Sequence, residues 1–412
     1  MNTNSKNLQL AYLFLCNFAI LFIGFGLFPL LPLYAAEFGA NPSMTGIYMA
    51  ITYISITIGS ILPGRLAEYL PRKFLFSAAG LLGIPALILL GHANSLWQVV
   101  FFTGIIWFTG GIGLSTASVI SGFHTTPSDR GKIFGLNSVA SSLGAVIGGV
   151  VVGHLMRQYG YSMMFAISAL VWSMWPLLAL WKIEYRPSTN ATKAQVTVKG
   201  PASSHGFVFM FLLMTVFLAS MTVSIGRLGL SLSMKASLFP ASDVSTANAF
   251  GGLIALPVTL MVGMTSDRLG RKPPLLFGYL TATASTLMLL IAKDLWQFQV
   301  ASSLVLIARN IISPMSFAFA TDLLESDQLE RALPLVNSAN WASGVLGFVG
   351  TGYMMDLFGA AALYDIATII AILAVLMVIT LPTSLGQTRT RLVMDAAKKK
   401  NPVSWEELKE EC

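Results

Sequence analysis

Two arginines, Arg227 and Arg309, stand inside long stretches that are otherwise almost wholly apolar. A charge held away from water is costly and is retained where it is paired or functional. The guanidinium fork matches carboxylate and phosphate groups. The pair therefore predicts one of two things: a site that attracts an anionic solute, or two cations neutralised within the protein, for instance by Asp365. Asn17, Trp107, Asn310, Asn340 and Trp341 also carry polar atoms within apolar runs, where each could touch a solute or serve packing. Of 18 Asp and Glu, only Glu37, Asp243, Asp322 and Asp365 lie near these runs, all toward their ends. A proton carrier needs a carboxylate whose pKa burial can lift toward neutrality, and Asp365 is the best placed for that part.

Other chemistries find no constellation. The four histidines, His92, His124, His154 and His205, share no metal-ligand spacing. Two cysteines, Cys16 and Cys412, make neither a disulfide framework nor a metal site. The Gly131-Lys132 pair is followed by Ile133, so it is not the end of a phosphate-binding loop. No catalytic set, cofactor or metal is expected, and the chain is read as a non-enzyme.

The elements that must position these groups are set by composition. Of 412 residues, 55% are hydrophobic and only 10% charged, with mean hydropathy +0.72. Soluble domains carry about 25% charged residues, so most of this surface must face lipid. Runs long enough to cross a bilayer fall near 8–35, 44–67, 73–92, 97–123, 133–157 and 162–182. Six more fall near 206–234, 243–264, 273–292, 296–322, 331–356 and 360–382. The fold class is an all-α membrane protein, with twelve transmembrane helices in two pseudo-symmetric six-helix bundles, 1–182 and 206–382. A polar linker, 183–205, joins them, and a solvated tail, 383–412, follows. The net charge of +7 does not point to nucleic acid, because Lys and Arg are scattered in short loops. With both termini in the cytoplasm, inner segments hold 20 of the 25 basic residues, the bias expected of a multi-pass protein of a bacterial inner (plasma) membrane. A monomer is expected.

The two halves repeat each other. Gly64 to Lys73 aligns with Gly263 to Lys272 at an offset of 199, as do Leu96-Trp97-Gln98 with Leu295-Trp296-Gln297 and Gly160 with Gly359. Asn137-Ser138 matches Asn337-Ser338 at 200. Two parallel six-span repeats can enclose a site between them and rock to open it to either side in turn.

The segment Gly263, Asp267, Arg268, Gly270, Arg271, Lys272 resembles the loop signature of the major facilitator superfamily. Gly64, Glu68, Arg72 and Lys73 form a second, divergent copy with Pro71 in place of glycine. Pro29-Leu-Leu-Pro32, Ser128 to Lys132 leading to Asn137-Ser138, and Gly144, Gly148 and Gly153 are similar to the twelve-span drug:proton antiporter branch. Gly149 stands where that branch has proline, and Trp107 lies near the place of its coupling arginine. The resemblance implies that these loops gate the cytoplasmic side, with Glu68 and Asp267 as latching acids. It also implies that spans 1, 4, 7 and 10 line a central cavity, and that transport is coupled to protons. Gly144, Gly148, Gly149 and Gly153 are read chiefly as helix-packing positions.

Three functions remain open. The first is a secondary active exporter of small organic or drug-like compounds with a proton as co-substrate. The second is an organic-anion importer or exchanger using Arg227 and Arg309. The third is a receptor of the same fold that binds a solute without moving it. In each, the partners are a small-molecule solute and the lipid bilayer.

Overall fold

The computed structural model describes residues 3–67, 69–123, 130–183, 203–324 and 326–381. Side chains are described for these except 3–7, 121–123, 130–138, 203–206, 267–268 and 326–331. Glu68, the linker and the tail thus lie outside the described residues, as do the side chains of Asp267 and Arg268.

The described chain is helical and contains no strand. The helices are α1 (Thr3–Gly26), α2 (Leu31–Glu37), α3 (Pro42–Leu66), α4 (Arg72–Leu90), α5 (Leu96–Phe123) and α6 (Arg130–Trp181). They continue as α7 (Ser203–Ala236), α8 (Ala241–Leu269), α9 (Lys272–Ile291), α10 (Leu295–Leu323) and α11 (Ser326–Thr380). Local chemistry fixes their ends. The Asn41 side chain accepts from the Met44 amide at 2.8 Å and opens α3, with Pro42 in the first turn. Asp294 and Gln297 form a reciprocal capping box on α10.

The run predicted as one span, 8–35, is broken into α1 and α2 by a turn at 27–30. Pro29 has no amide to donate within that turn, and Pro32 suits the first turn of α2. The opposite departure occurs in α6 and α11, of 52 and 55 residues. At about 1.5 Å per residue each is more than twice the thickness of a bilayer core. Gly160 (φ 75°, ψ 179°) and Gly359 (φ 81°, ψ 177°) interrupt them, in a region only glycine enters without steric cost. There the chain reverses. Gly144 and Gly148 meet Leu21 and Gly26 of α1 in parallel order, whereas Gln9 bonds to the Lys182 carbonyl and Cys16 to that of Trp175, in antiparallel order. Among the described residues, ten helical segments are long and apolar enough to cross a membrane, and two of them contain these reversals. Twelve crossings result, as predicted.

Isoleucines 47, 51, 54, 58 and 61 stay exposed along one stripe of α3, the pattern of a lipid-facing helix surface. Inside, one buried cluster draws mainly on α1–α6 and another on α7, α9, α10 and α11. The N-terminal end of α1, the α8–α9 turn and the end of α11 share one face of the molecule. Here Lys272 donates to the Ile379 and Leu381 carbonyls at 2.7 and 2.5 Å. This is called the terminal face below. The reversals at Gly160 and Gly359 lie on the opposite, distal face.

The halves meet along two helix pairs. Gly46 of α3 and Gly352 of α11 touch through their backbones: a Cβ on Gly352 would fall 2.5 Å from the Pro42 carbonyl oxygen. Toward the distal end of the same seam, Ser43 donates to Asp356 at 2.6 Å. In the second pair, Gly149 and Gly153 pack on Ser245 and Ala249 of α8. The four glycines of α6 therefore serve two faces, Gly144 and Gly148 against α1, Gly149 and Gly153 across to the other half.

Candidate functional site

Between the halves lie two adjoining compartments. One, of about 310 Å³, is polar and is bordered by Ser141, Ser220, Ser224, Asn310, Asn337 and Asn340. The other, of about 80 Å³, is walled by Phe25, Phe28, Trp107, Trp172 and aliphatic groups. Tyr53, Arg227, Arg309 and Trp341 border both, so the two arginines stand at the junction of a polar and an aromatic chamber. Seven or more crossings contribute walls, among them α3 and both limbs of α6. The site is thus broader than the spans 1, 4, 7 and 10 that the resemblance implies.

Arg227 reaches from α7 into the opposite half. Its Nη1 donates to the Tyr53 hydroxyl at 2.6 Å, and its guanidinium lies 3.5 Å from the centre of the Phe28 ring. Arg309, on α10, lies 4.6 Å from the Phe25 ring centre. Ring faces attract cations, with more effect where water is excluded, but they carry no formal charge. Among the described residues neither arginine has a carboxylate within 4 Å, and no Asp or Glu borders either compartment. The alternative of internal neutralisation by Asp365 is not what the structure contains: Asp365 is exposed and contributes to neither compartment. Its neighbour Tyr364 is buried and shares a 2.7 Å hydrogen bond with Ser233. Because successive helical residues point about 100° apart, the face that buries Tyr364 turns Asp365 outward.

The other predicted contacts divide. Trp107, Asn310, Asn340, Trp341 and both arginines border the compartments. Asn17 is buried beside them but borders neither. Asn340 accepts from Ser220 at 2.6 Å and donates to the Val336 carbonyl at 3.1 Å. Asn310 reaches Ser142 of the other half at 3.4 Å. The buried Trp341 Nε1 has no acceptor among the described residues. Tyr53, Phe25 and Phe28 were not singled out in the sequence; a tyrosine or phenylalanine in an apolar run carries no mark of its own.

At the terminal face, Arg271 bonds Asp322 at 3.2 Å and Ser266 at 2.7 Å. This ties the α8–α9 turn to the end of α10, and the acid described there is Asp322. Arg72 and Lys73 open α4, whereas Gly64, expected in the loop, lies inside α3. Gly263 lies in α8 with open space where a Cβ would stand. Gly270 ends that helix with φ 84°.

The sequence profile described as Major Facilitator Superfamily matches residues 13–255 and 206–410. Multidrug resistance protein MdtG of Citrobacter koseri is 24% identical over 298 residues, 69% of this chain and 73% of that one. An uncharacterized MFS-type transporter of Methanocaldococcus jannaschii is 23% identical over 364 residues, 84% and 90% of the two chains. In three dimensions, a crystal structure of the nucleoside transporter NupG superposes with a TM-score of 0.75 at 14% identity. The match covers 91% of this chain and 99% of that one.

Proposed function

Because the chain belongs to the major facilitator superfamily, we propose that it is an alternating-access transporter that exchanges small organic anions across the membrane without transforming them. The observation that carries this is the arginine pair at the junction of the two compartments, with no carboxylate near either guanidinium among the described residues. A carboxylate or phosphate could take both forks from the polar side, while the aromatic chamber accepts an apolar body. Exchange follows from the charge. Occluding two uncompensated guanidinium groups is costly, so the carrier crosses readily only with an anion aboard. The basic residues of the terminal face support a cytoplasmic placement of that face, in the inner membrane of a bacterium, by a monomer.

A second reading, proton-coupled export of drug-like compounds, is favoured by the name of the multidrug resistance relatives. It is also favoured by the aromatic wall of the smaller chamber. The deciding experiment is counterflow in proteoliposomes, comparing a panel of carboxylates and phosphates with cationic dyes under imposed pH gradients. Arg309→Gln should reduce anion exchange by about ten- to a hundredfold, the range for a charge-assisted hydrogen bond. Pumping of cationic dyes that is undiminished by Arg309→Gln, with no anion exchanged, would sink the anion reading in favour of the second. Binding without counterflow of any compound would instead indicate a receptor.

A further inference from the structure

Arg227 borders a third, smaller chamber that neither reading uses. It lies on the distal side of the guanidinium, has a volume of about 20 Å³, and is closed by the polar groups of Ser231, Asn248 and Ser302 and by an apolar wall of Phe28, Pro29, Leu230, Val305 and Leu306. About 10–15 Å³ suffices for one water-sized particle, so this space takes a single small species. Its polar lining is rich in donors. The Ser231 side chain is 1% exposed and its hydroxyl has no partner among the described residues. Asn248 Nδ2 gives one hydrogen to the Phe25 carbonyl at 3.1 Å, which leaves it a second. Ser302 is 4% exposed. Among the described residues no carboxylate borders the chamber. A cation there would face the Arg227 charge, and an organic molecule would not fit.

We propose that this chamber is a binding site for a small inorganic anion of chloride size, held by Arg227, Ser231 and Asn248. A halide there balances Arg227 from behind, and Arg309, which does not border the chamber, is then the uncompensated guanidinium whose charge the exchanged solute must balance. The site rests on the geometry of the chamber and needs no assumption about what that solute is.

The test uses the purified full-length protein with gluconate, an anion too large for the chamber, as the reference counter-ion. Its melting midpoint is followed as sodium gluconate is replaced by sodium chloride, and separately by bromide, at constant ionic strength. A saturable rise in midpoint with either halide is expected. Ser231→Ala and Asn248→Leu should raise the half-saturating halide concentration about tenfold or more, since each removes a hydrogen bond to a charged group. Ser231→Ala should leave the midpoint in gluconate unaltered, because its hydroxyl bonds to nothing else described. Arg309→Gln, which does not border the chamber, should keep the halide response. Equal midpoints in gluconate and chloride would overturn the proposal and leave the chamber to water. So would a halide response that both chamber variants retain in full. Failure of anion exchange in proteoliposomes beside an intact halide response would count against the transport reading alone.

Discussion

The seam between Gly46 and Gly352 is where a single methyl group should change which way the molecule opens. In Gly352→Ala the new Cβ would lie 2.5 Å from the Pro42 carbonyl oxygen and 2.9 Å from the Gly46 Cα. Both neighbours are backbone, so α3 and α11 must separate to admit it. Overpacking of this kind costs about 1–3 kcal/mol. The contact joins the two halves near the distal face, so the cost falls on the state in which that face is closed. At about 1.4 kcal/mol per tenfold, the closed-to-open ratio should drop by roughly fivefold to 150-fold. Spin labels at the exposed Asn94 and Lys293, in distal loops of the two halves, would report the change as a longer distance. Cys16 is buried, and Cys412 can be replaced by serine. Gly350→Ala on the same helix is the control, because a Cβ there meets nothing within 4 Å. It should leave the distances alone and, as a helix-interior glycine replaced by alanine, add about 0.5–1 kcal/mol of stability. Unchanged label distances in Gly352→Ala, with only a lower melting point, would refute the seam as a hinge-side contact and reduce it to ordinary packing.

Two further outcomes follow from the charges. Asp365→Asn should leave both the transport rate and its pH profile as they are, since the carboxylate is exposed and borders neither compartment; a flattened pH profile in proteoliposome assays would restore it as a proton carrier. Arg271 and Asp322 are partly exposed, at 28% and 44%, so a double-mutant cycle in Arg271→Gln and Asp322→Asn should give a thermal-stability coupling of no more than about 1 kcal/mol, while the transport rate should change more if the pair closes the terminal face as proposed.

What could be read from the sequence was what the bilayer enforces. A lipid core demands long apolar helices and penalises buried charge, so the crossings and the two arginines were visible as runs and as exceptions to runs. The matched Gly160 and Gly359 appeared as a repeat, but their left-handed backbone, which lets one helix follow another without a loop, left no mark that periodicity could detect. The direction in which a side chain points was also hidden. Asp365 looked available for proton transfer because its depth in the span could be estimated, whereas its outward orientation is decided by the neighbour Tyr364 packing on Ser233 and Gly229. Tyr53 was invisible for a related reason: it matters through a contact with a residue 174 positions away. The split of the α6 glycines was nearer to legible. Gly148 and Gly149 are adjacent, so they point about 100° apart and could not serve one interface.

The contact between Arg227 and Tyr53 joins recognition to movement. Arg227 belongs to the C-terminal half, while Tyr53 and Phe28, which hold its guanidinium, belong to the other. In the proposed anion exchange, a solute that takes the Nη1 edge of the guanidinium must displace the tyrosine hydroxyl, whereas one held on the Nε–Nη2 edge leaves that bond in place. Occupancy of the Nη1 edge would loosen a bond between the halves at their centre, while the glycine seam and the Ser43–Asp356 bond still hold them at the distal end. A ligand shifts a conformational equilibrium only by the difference in its affinity for the two states. For the proposed anion, that difference would come from the Nη1 edge: Tyr53→Phe, which removes the competing hydroxyl, should tighten binding of an anion that uses this edge and leave unchanged the binding of one that uses Nε and Nη2.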